Sequence, residues 1–453
     1  MGGIGLRIRP SDGSRRLLQS LLAVLAVAAP APAGAAVTTP LALRSVSVDG
    51  DRYADVVVGK AHRNRVEVHL GGRGRLKRVT IPGIRAADRA GEDAKLIGDF
   101  DGDRLADVAL TAHGDVDDFL GPATNLRTVY IVRGARPFTS VSLAAGGQRV
   151  VRILNVPTRG YTTTLSAGGD VNGDGLDDLL LGTPDIDGRS GAEESGAVYV
   201  IFGSRSGADI DLAAPSDRFW MVEGAPTELL GANQIGVGDL DDDGFTDIGL
   251  DDFVLLGGPR PPAGPTQRRV RIRGTSSRTI NTLGPAGDLD RDGAADLVFG
   301  DISDEASWLA FGGRAFGRSA LRVSRLPRLD PPVRRDAMAF LVTGVGDFNG
   351  DARPDLLFST PGDSLTVDFT PAGRQRGARI VRGLRIRAAT PKSESGTSRP
   401  DGHWTGDVNG DGRADLLIER PRERTDDLWV VYGRPQGGVV DVTRLGRAGV
   451  RLR

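Results

Sequence analysis

The 453-residue chain has no cysteine, which excludes disulfides, thiolate metal sites and cysteine nucleophiles together. Histidine is nearly missing as well. His62, His69, His113 and His403 are scattered, which argues against a histidine-built zinc or iron centre. Aromatic residues make up 5%, leaving few platforms for stacking sugars or bases. Glutamate is scarce, 10 against 49 aspartates, and lysine scarcer, 4 against 54 arginines. The net charge of −1 offers no basic field for nucleic acid. Nothing in 37–453 reads as a long amphipathic helix, and beyond the first thirty residues no apolar run approaches the length of a membrane span. A G-x-S-x-G nucleophile elbow is also missing.

What is present is glycine, 64 residues, and aspartate, a poor helix former and a good turn and calcium residue. A chain this long exceeds one ordinary core, so several domains or a repetitive architecture are expected. The N-terminus reads as an export signal over 1–35. Arg7, Arg9, Arg15 and Arg16 precede the apolar stretch 17–29, and small residues at Ala33 and Ala35 mark a cleavage site.

One pattern recurs seven times: aspartates at loop positions 1, 3, 5 and 9, with glycine at 6, then a short apolar run. The copies begin at 47, 99, 170, 239, 288, 347 and 407, about sixty residues apart. The candidate ligands are Asp49, Asp51 and Asp55; Asp99, Asp101, Asp103 and Asp107; Asp170, Asn172, Asp174 and Asp178; Asp239, Asp241, Asp243 and Asp247; Asp288, Asp290, Asp292 and Asp296; Asp347, Asn349, Asp351 and Asp355; and Asp407, Asn409, Asp411 and Asp415. Calcium takes six to eight oxygens, and carboxylates at positions 1, 3 and 5 converge when the chain curls tightly. Glycine at position 6 permits the left-handed curl, and Gly175, Gly244, Gly293 and Gly412 fit it. Arg52, Arg104 and Ala352 fit it less well, and Ser47 opens a degenerate first copy. An EF-hand is rejected, because position 12 is apolar in every copy and a buried strand follows rather than a helix. Further strands such as 65–72, 128–134, 197–203 and 428–433 end in glycine, so each repeat offers about four strands.

The unit resembles the FG-GAP repeat of integrin α-chain propellers and of bacterial secreted proteins, most closely over 161–204. The resemblance implies an all-β, seven-bladed β-propeller over 37–453, with calcium in strand-connecting loops on one face. Blades are expected near 40–90, 91–158, 159–230, 231–278, 279–338, 339–398 and 399–453. Residues 438–453 or 37–46 are expected to supply the last outer strand.

The expected function is a secreted or surface-bound binding and adhesion module. Calcium is structural in it, and the partner is an extracellular protein or polysaccharide. A monomer is expected, with no nucleic-acid partner and no stable membrane span. The alternatives are an extracellular hydrolase or lyase acting on polysaccharide, or a lectin. Against an enzyme, nearly every close aspartate pair lies inside a loop. Asp117, Asp118, Glu193 and Glu194 lie outside and read as solvated acids. His62 and His113 read as solvated loop residues, His69 as a strand-face residue, and Trp220, Trp308, Trp404 and Trp429 as blade packing. Insertions at 113–127, 183–196 and 204–232 lengthen repeats two and three. The first two point the partner site to the face opposite the calcium loops.

Overall fold

The computed structural model describes residues 46–452, apart from 86–87, 113–124, 160–162, 189–190, 192, 260–268, 276–279, 281, 302–303, 305, 330–341, 345, 361–363, 370–380, 388–400 and 421–426. The export signal, His113, Asp117 and Asp118, most of the 113–127 insertion and the segment 37–45 lie outside the described residues.

Seven antiparallel sheets follow one another along the chain. In blade one the strands among the described residues are Val56–Lys60, Arg65–Leu70 and Lys77–Pro82. Blade two holds Ala94–Gly98, Asp107–Ala112, Asn125–Val132 and Val150–Thr158, and blade three Thr164–Gly169, Asp178–Thr183, Ala197–Ile201 and Phe219–Glu223. Blade four holds Gln234–Gly238, Asp247–Leu250, Phe253–Leu255 and Arg269–Arg273. Blade five holds Thr282–Gly287, Asp296–Asp301, Ala306–Ala310 and Arg328–Leu329. Blade six holds Val342–Gly344, Leu356–Thr360, Ser364–Phe369 and Val381–Arg387, and blade seven Asp401–Gly406, Asp415–Arg420, Asp427–Val431 and Gly449–Leu452. The first strands of blades two to six stand side by side in chain order, the inner wall of a propeller.

The second strand of a blade is apolar on both faces because neighbouring blades cover both. Leu179 and Leu181 pack toward blade two, and Leu180 toward blade four. The ring closes through blades seven and one. Val56 and Val58 share a core with Leu417, Leu428, Val430 and Leu452. Ala54 N–H donates to the Asp407 carbonyl at 2.9 Å, and Gly72 N–H to that of Val408 at 2.8 Å. The last outer strand is Gly449–Leu452, so the C-terminal segment supplies it.

The 204–232 segment is not a free insertion. Its strand Ile210–Asp211 leaves blade three and pairs in parallel with Val150–Thr158 of blade two. Leu321–Arg322 of blade five joins blade four in the same way, and Gly438–Asp441 of blade seven joins blade six. The first latch is fastened by the Arg152 guanidinium, which donates twice to Asp209 Oδ2 at 2.6 and 2.9 Å, and by Asn155 Nδ2, which donates to Asp211 Oδ1 at 2.7 Å. Ile210 is buried against Ile153. Truncation to Ile210→Ala is therefore expected to cost about 2–4 kcal/mol in urea unfolding. Val439→Thr, at an exposed position of the third latch, is expected to change little.

Candidate metal centres

In blades two to seven each loop joins the first strand to the second, and the first loop is hydrogen-bonded to the loops of blades seven and two, so all lie on one face of the ring. The aspartate at position 9 anchors them. Its Oδ2 accepts the N–H of position 2 at 2.7–3.0 Å in every loop. Its Oδ1 accepts the N–H of the glycine that ends the third strand (Gly71, Gly134, Gly203, Gly257, Gly312 and Gly433) at 2.7–2.9 Å. One buried carboxylate thus ties the loop to its own blade.

At position 1, Asp170, Asp239, Asp288, Asp347 and Asp407 accept the N–H groups of positions 5 and 6, curling the chain around their carboxylates. In the first loop the Ser47 hydroxyl instead donates to Asp49 and Asp51. The aspartate at position 5 accepts the N–H of position 7 at 2.8–3.2 Å in all seven loops, a local turn that holds one of its oxygens away from the centre.

Three loops bring carboxylate oxygens of positions 1, 3 and 9 within 4.8 Å of one another. They are Asp99, Asp101 and Asp107; Asp239, Asp241 and Asp247; and Asp288, Asp290 and Asp296. Convergence thus involves position 9 as well as positions 1 and 3, and position 5 stands outside these triads. Where position 3 is asparagine, Asn172, Asn349 and Asn409 each turn their amide N–H toward the carboxylate of position 5. These clusters can hold a metal ion; hard oxygen donors on a tight loop suit a hard divalent cation.

Without a cation the packed carboxylates are costly. Burial, with neighbouring aspartates adding to it, raises Asp55 and Asp296 to about 7 and Asp247 and Asp415 to about 8. Asp107 and Asp178 are pushed well above the ordinary range, again by burial first.

Two features escape a position-by-position motif. The first is position 4, left-handed in every loop, even where it is not glycine: φ is +58° at Asp242 and +63° at Arg291. A Cβ on Gly173 at this position would overlap the ring of Phe245 in the next loop, whereas one on Gly175 at position 6 would meet nothing. Gly175→Ala is expected to cost about 1–2 kcal/mol, the left-handed penalty alone. Gly173→Ala is expected to cost about 1–3 kcal/mol more for the clash. Thermal melts of the two variants check the difference.

The second feature is contact between loops. The N–H of position 8 donates to the position 1 carbonyl of the preceding loop at 2.8–2.9 Å, from Ala54, Ala106, Asp177, Thr246, Ala295 and Ala414. Only Pro354 has no N–H to give. There the Arg291 guanidinium reaches across and donates to the Ala352 carbonyl at 2.9 Å.

The other sequence candidates are spread out. His62 is exposed in the short turn Ala61–Arg63, and His69 is buried 3.6 Å from Glu67. Burial opposes the charge on Glu67, but the His69, Arg65 and Arg78 side chains outweigh it and lower its pKa to about 2. His403 lies on the inner strand Asp401–Gly406. Glu193 and Glu194 are exposed, and none of the four tryptophans is.

The FG-GAP repeat family model matches residues 161–201. Integrin alpha-PS5 of Drosophila melanogaster is 27% identical over 157 residues, 34% of this chain and 14% of that protein. The chain thus matches only a small part of that relative. Among solved structures, BBS1N in complex with ARL6DN aligns at a TM-score of 0.39 and 12% identity over 87% of this chain and 96% of that one. The BP39L lectin of Burkholderia pseudomallei aligns at 0.41 and 12% over 82% and 92%. The matched repeat, the integrin relative and the seven blades fit an integrin-like FG-GAP propeller.

Proposed function

We propose that the protein is an exported binding and adhesion module whose propeller is clamped by calcium, with an extracellular protein or polysaccharide as partner. The observation that carries the metal reading is the convergence of carboxylates in the loops of blades four and five, Asp239, Asp241 and Asp247, and Asp288, Asp290 and Asp296, with oxygens within 4.8 Å and the position 9 carboxylate fixed by a backbone N–H. A metal there would bridge carboxylates from both strands flanking the loop, so its role is structural. The integrin relative supports a protein partner and an extracellular or surface location. No helix among the described residues is long and apolar enough to cross a membrane. The partner is placed on the face opposite the loops, near blades two and three. There the 183–196 turn is braced against 224–230 by backbone bonds from Gly224, Thr227, Leu229 and Leu230.

Elemental analysis after dialysis against calcium tests the metal. Several calcium ions per chain are expected, displaced only weakly by magnesium, which demands tighter octahedral geometry. Fewer than one per chain would remove the clamp and leave the acidic loops as turns. Arrays of neutral and acidic polysaccharides, probed with loaded and chelated protein, test the partner class.

A further inference from the structure

The loops at 99–107, 239–247 and 288–296 carry aspartate at all four of positions 1, 3, 5 and 9. They differ in what stands behind them. The residue before the glycine that ends the third strand is Leu70, Phe202, Leu256, Phe311 and Tyr432 in blades one, three, four, five and seven. In blade two it is Arg133. Its Nε lies 3.1 Å from Asp101 Oδ2, with both side chains about nine-tenths buried. Asp101 Oδ1 accepts the Asp103 N–H at 3.1 Å, so one oxygen of the position 3 carboxylate is hydrogen-bonded and the other faces the guanidinium as an ion pair.

The guanidinium is also built into the seam between blades two and three. Nη1 donates to the Gln148 carbonyl at 3.3 Å, and Nη2 to those of Ser204 and Ser206 at 3.2 and 2.7 Å. Swinging aside would break three hydrogen bonds to carbonyls at the seam. A second arginine, Arg149, donates from Nε to the Arg133 carbonyl and acts electrostatically on Asp107 and Asp103. A guanidinium stays charged at every relevant pH.

We propose that Arg133 is the resident cation of the second loop, so that this loop is held shut by an internal ion pair and takes up no calcium, while the loops of blades four and five, with the same four aspartates, do. The inference rests on the calcium reading above and deepens it. It makes the seven loops unequal for a reason no ligand motif records, since Arg133 lies 26 residues beyond Asp107.

Calcium titration calorimetry on the full chain after chelation tests it, with stoichiometry as the readout. Asp241→Asn and Asp290→Asn are each expected to remove one equivalent, whereas Asp101→Asn leaves the count unchanged. Arg133→Leu, which installs the side chain found in blades one and four, is expected to add one. Loss of one equivalent in Asp101→Asn would overturn the proposal. If Arg133→Leu does not fold, the Asp101→Asn comparison decides alone. A wild-type chain that binds no calcium, with Asp241→Asn silent too, would remove the calcium reading and this inference with it. That outcome differs visibly from a second loop that simply binds like the others.

Discussion

Replacing Asp178 by alanine is expected to cost roughly 2–4 kcal/mol of stability even in excess chelator. The carboxylate is fully buried and accepts two backbone N–H groups, from Val171 at 2.9 Å and Gly203 at 2.8 Å. Alanine orphans both donors, at about 1–3 kcal/mol each. Part of that is returned, because alanine also removes the burial penalty that raises the Asp178 carboxyl. Asp178→Asn keeps one acceptor but aims an amide N–H at the other donor, so a smaller loss is expected. Urea midpoints measured with and without calcium separate the two roles of this residue. A loss that persists in chelator belongs to the backbone clamp, and any extra loss in calcium belongs to the metal. A chelated variant with the wild-type midpoint would refute the clamp.

Chelation itself should lower stability steeply, and more so as pH rises. Each filled site adds about 2.7 kcal/mol when free calcium is a hundred times its Kd, so the two sites of blades four and five would supply about 5 kcal/mol. The pH dependence follows from the raised carboxyls of Asp55, Asp247, Asp296 and Asp415. Between the ordinary carboxylate range and about 7–8, the folded chain holds protons that the unfolded chain has released. Stability of the chelated protein therefore falls as pH rises through that window and levels off above it. Calcium needs the deprotonated forms, so its contribution grows over the same window. Melts from pH 5.5 to 8.5 are expected to decline in chelator and to hold or rise in calcium. The low value of Glu67 does not interfere, since its own change lies below the ordinary carboxylate range. Parallel curves in the two conditions would sink the linkage between these carboxyls and the metal.

The loops were plain in the sequence because their signal is local. Aspartates at fixed offsets, a glycine at position 6 and an apolar run afterwards suffice to find seven copies and to reject an EF-hand. What could not be read there is what one loop does to the next. Position 4 carries no single residue type, with Asp242 and Arg291 in two loops, yet both adopt the left-handed backbone that glycine takes elsewhere. Where position 4 is glycine, packing also excludes a side chain: position 7 of the following loop covers it, as Phe245 covers Gly173 and Tyr53 covers Gly410. Arg133 was hidden for a similar reason. It stands just past the third strand, where the other described blades place an apolar residue, and only the fold brings it to Asp101. The latch strands are two to four residues long, too short for alternation to register, so 204–232 read as surplus length until Ile210 was found paired with Ile153.

Those latches carry a lesson in parity. Among the described residues, blade three lends a strand to blade two, blade five to blade four, and blade seven to blade six. Seven is odd, so a ring tiled by couples leaves a bachelor. Here it is blade one, which meets blade two through side chains such as Phe138 and Leu143 against Val79 and Ile81, and meets blade seven through the closing core. Its outer strand, Lys77–Pro82, starts with two exposed cations and ends in proline, the features that discourage stray pairing at an open border. A wheel built this way has a natural hinge pin. Under heat, blade one is therefore expected to part first, seen as earlier hydrogen exchange in Val56–Lys60 than in Asp178–Thr183; equal exchange would sink the idea.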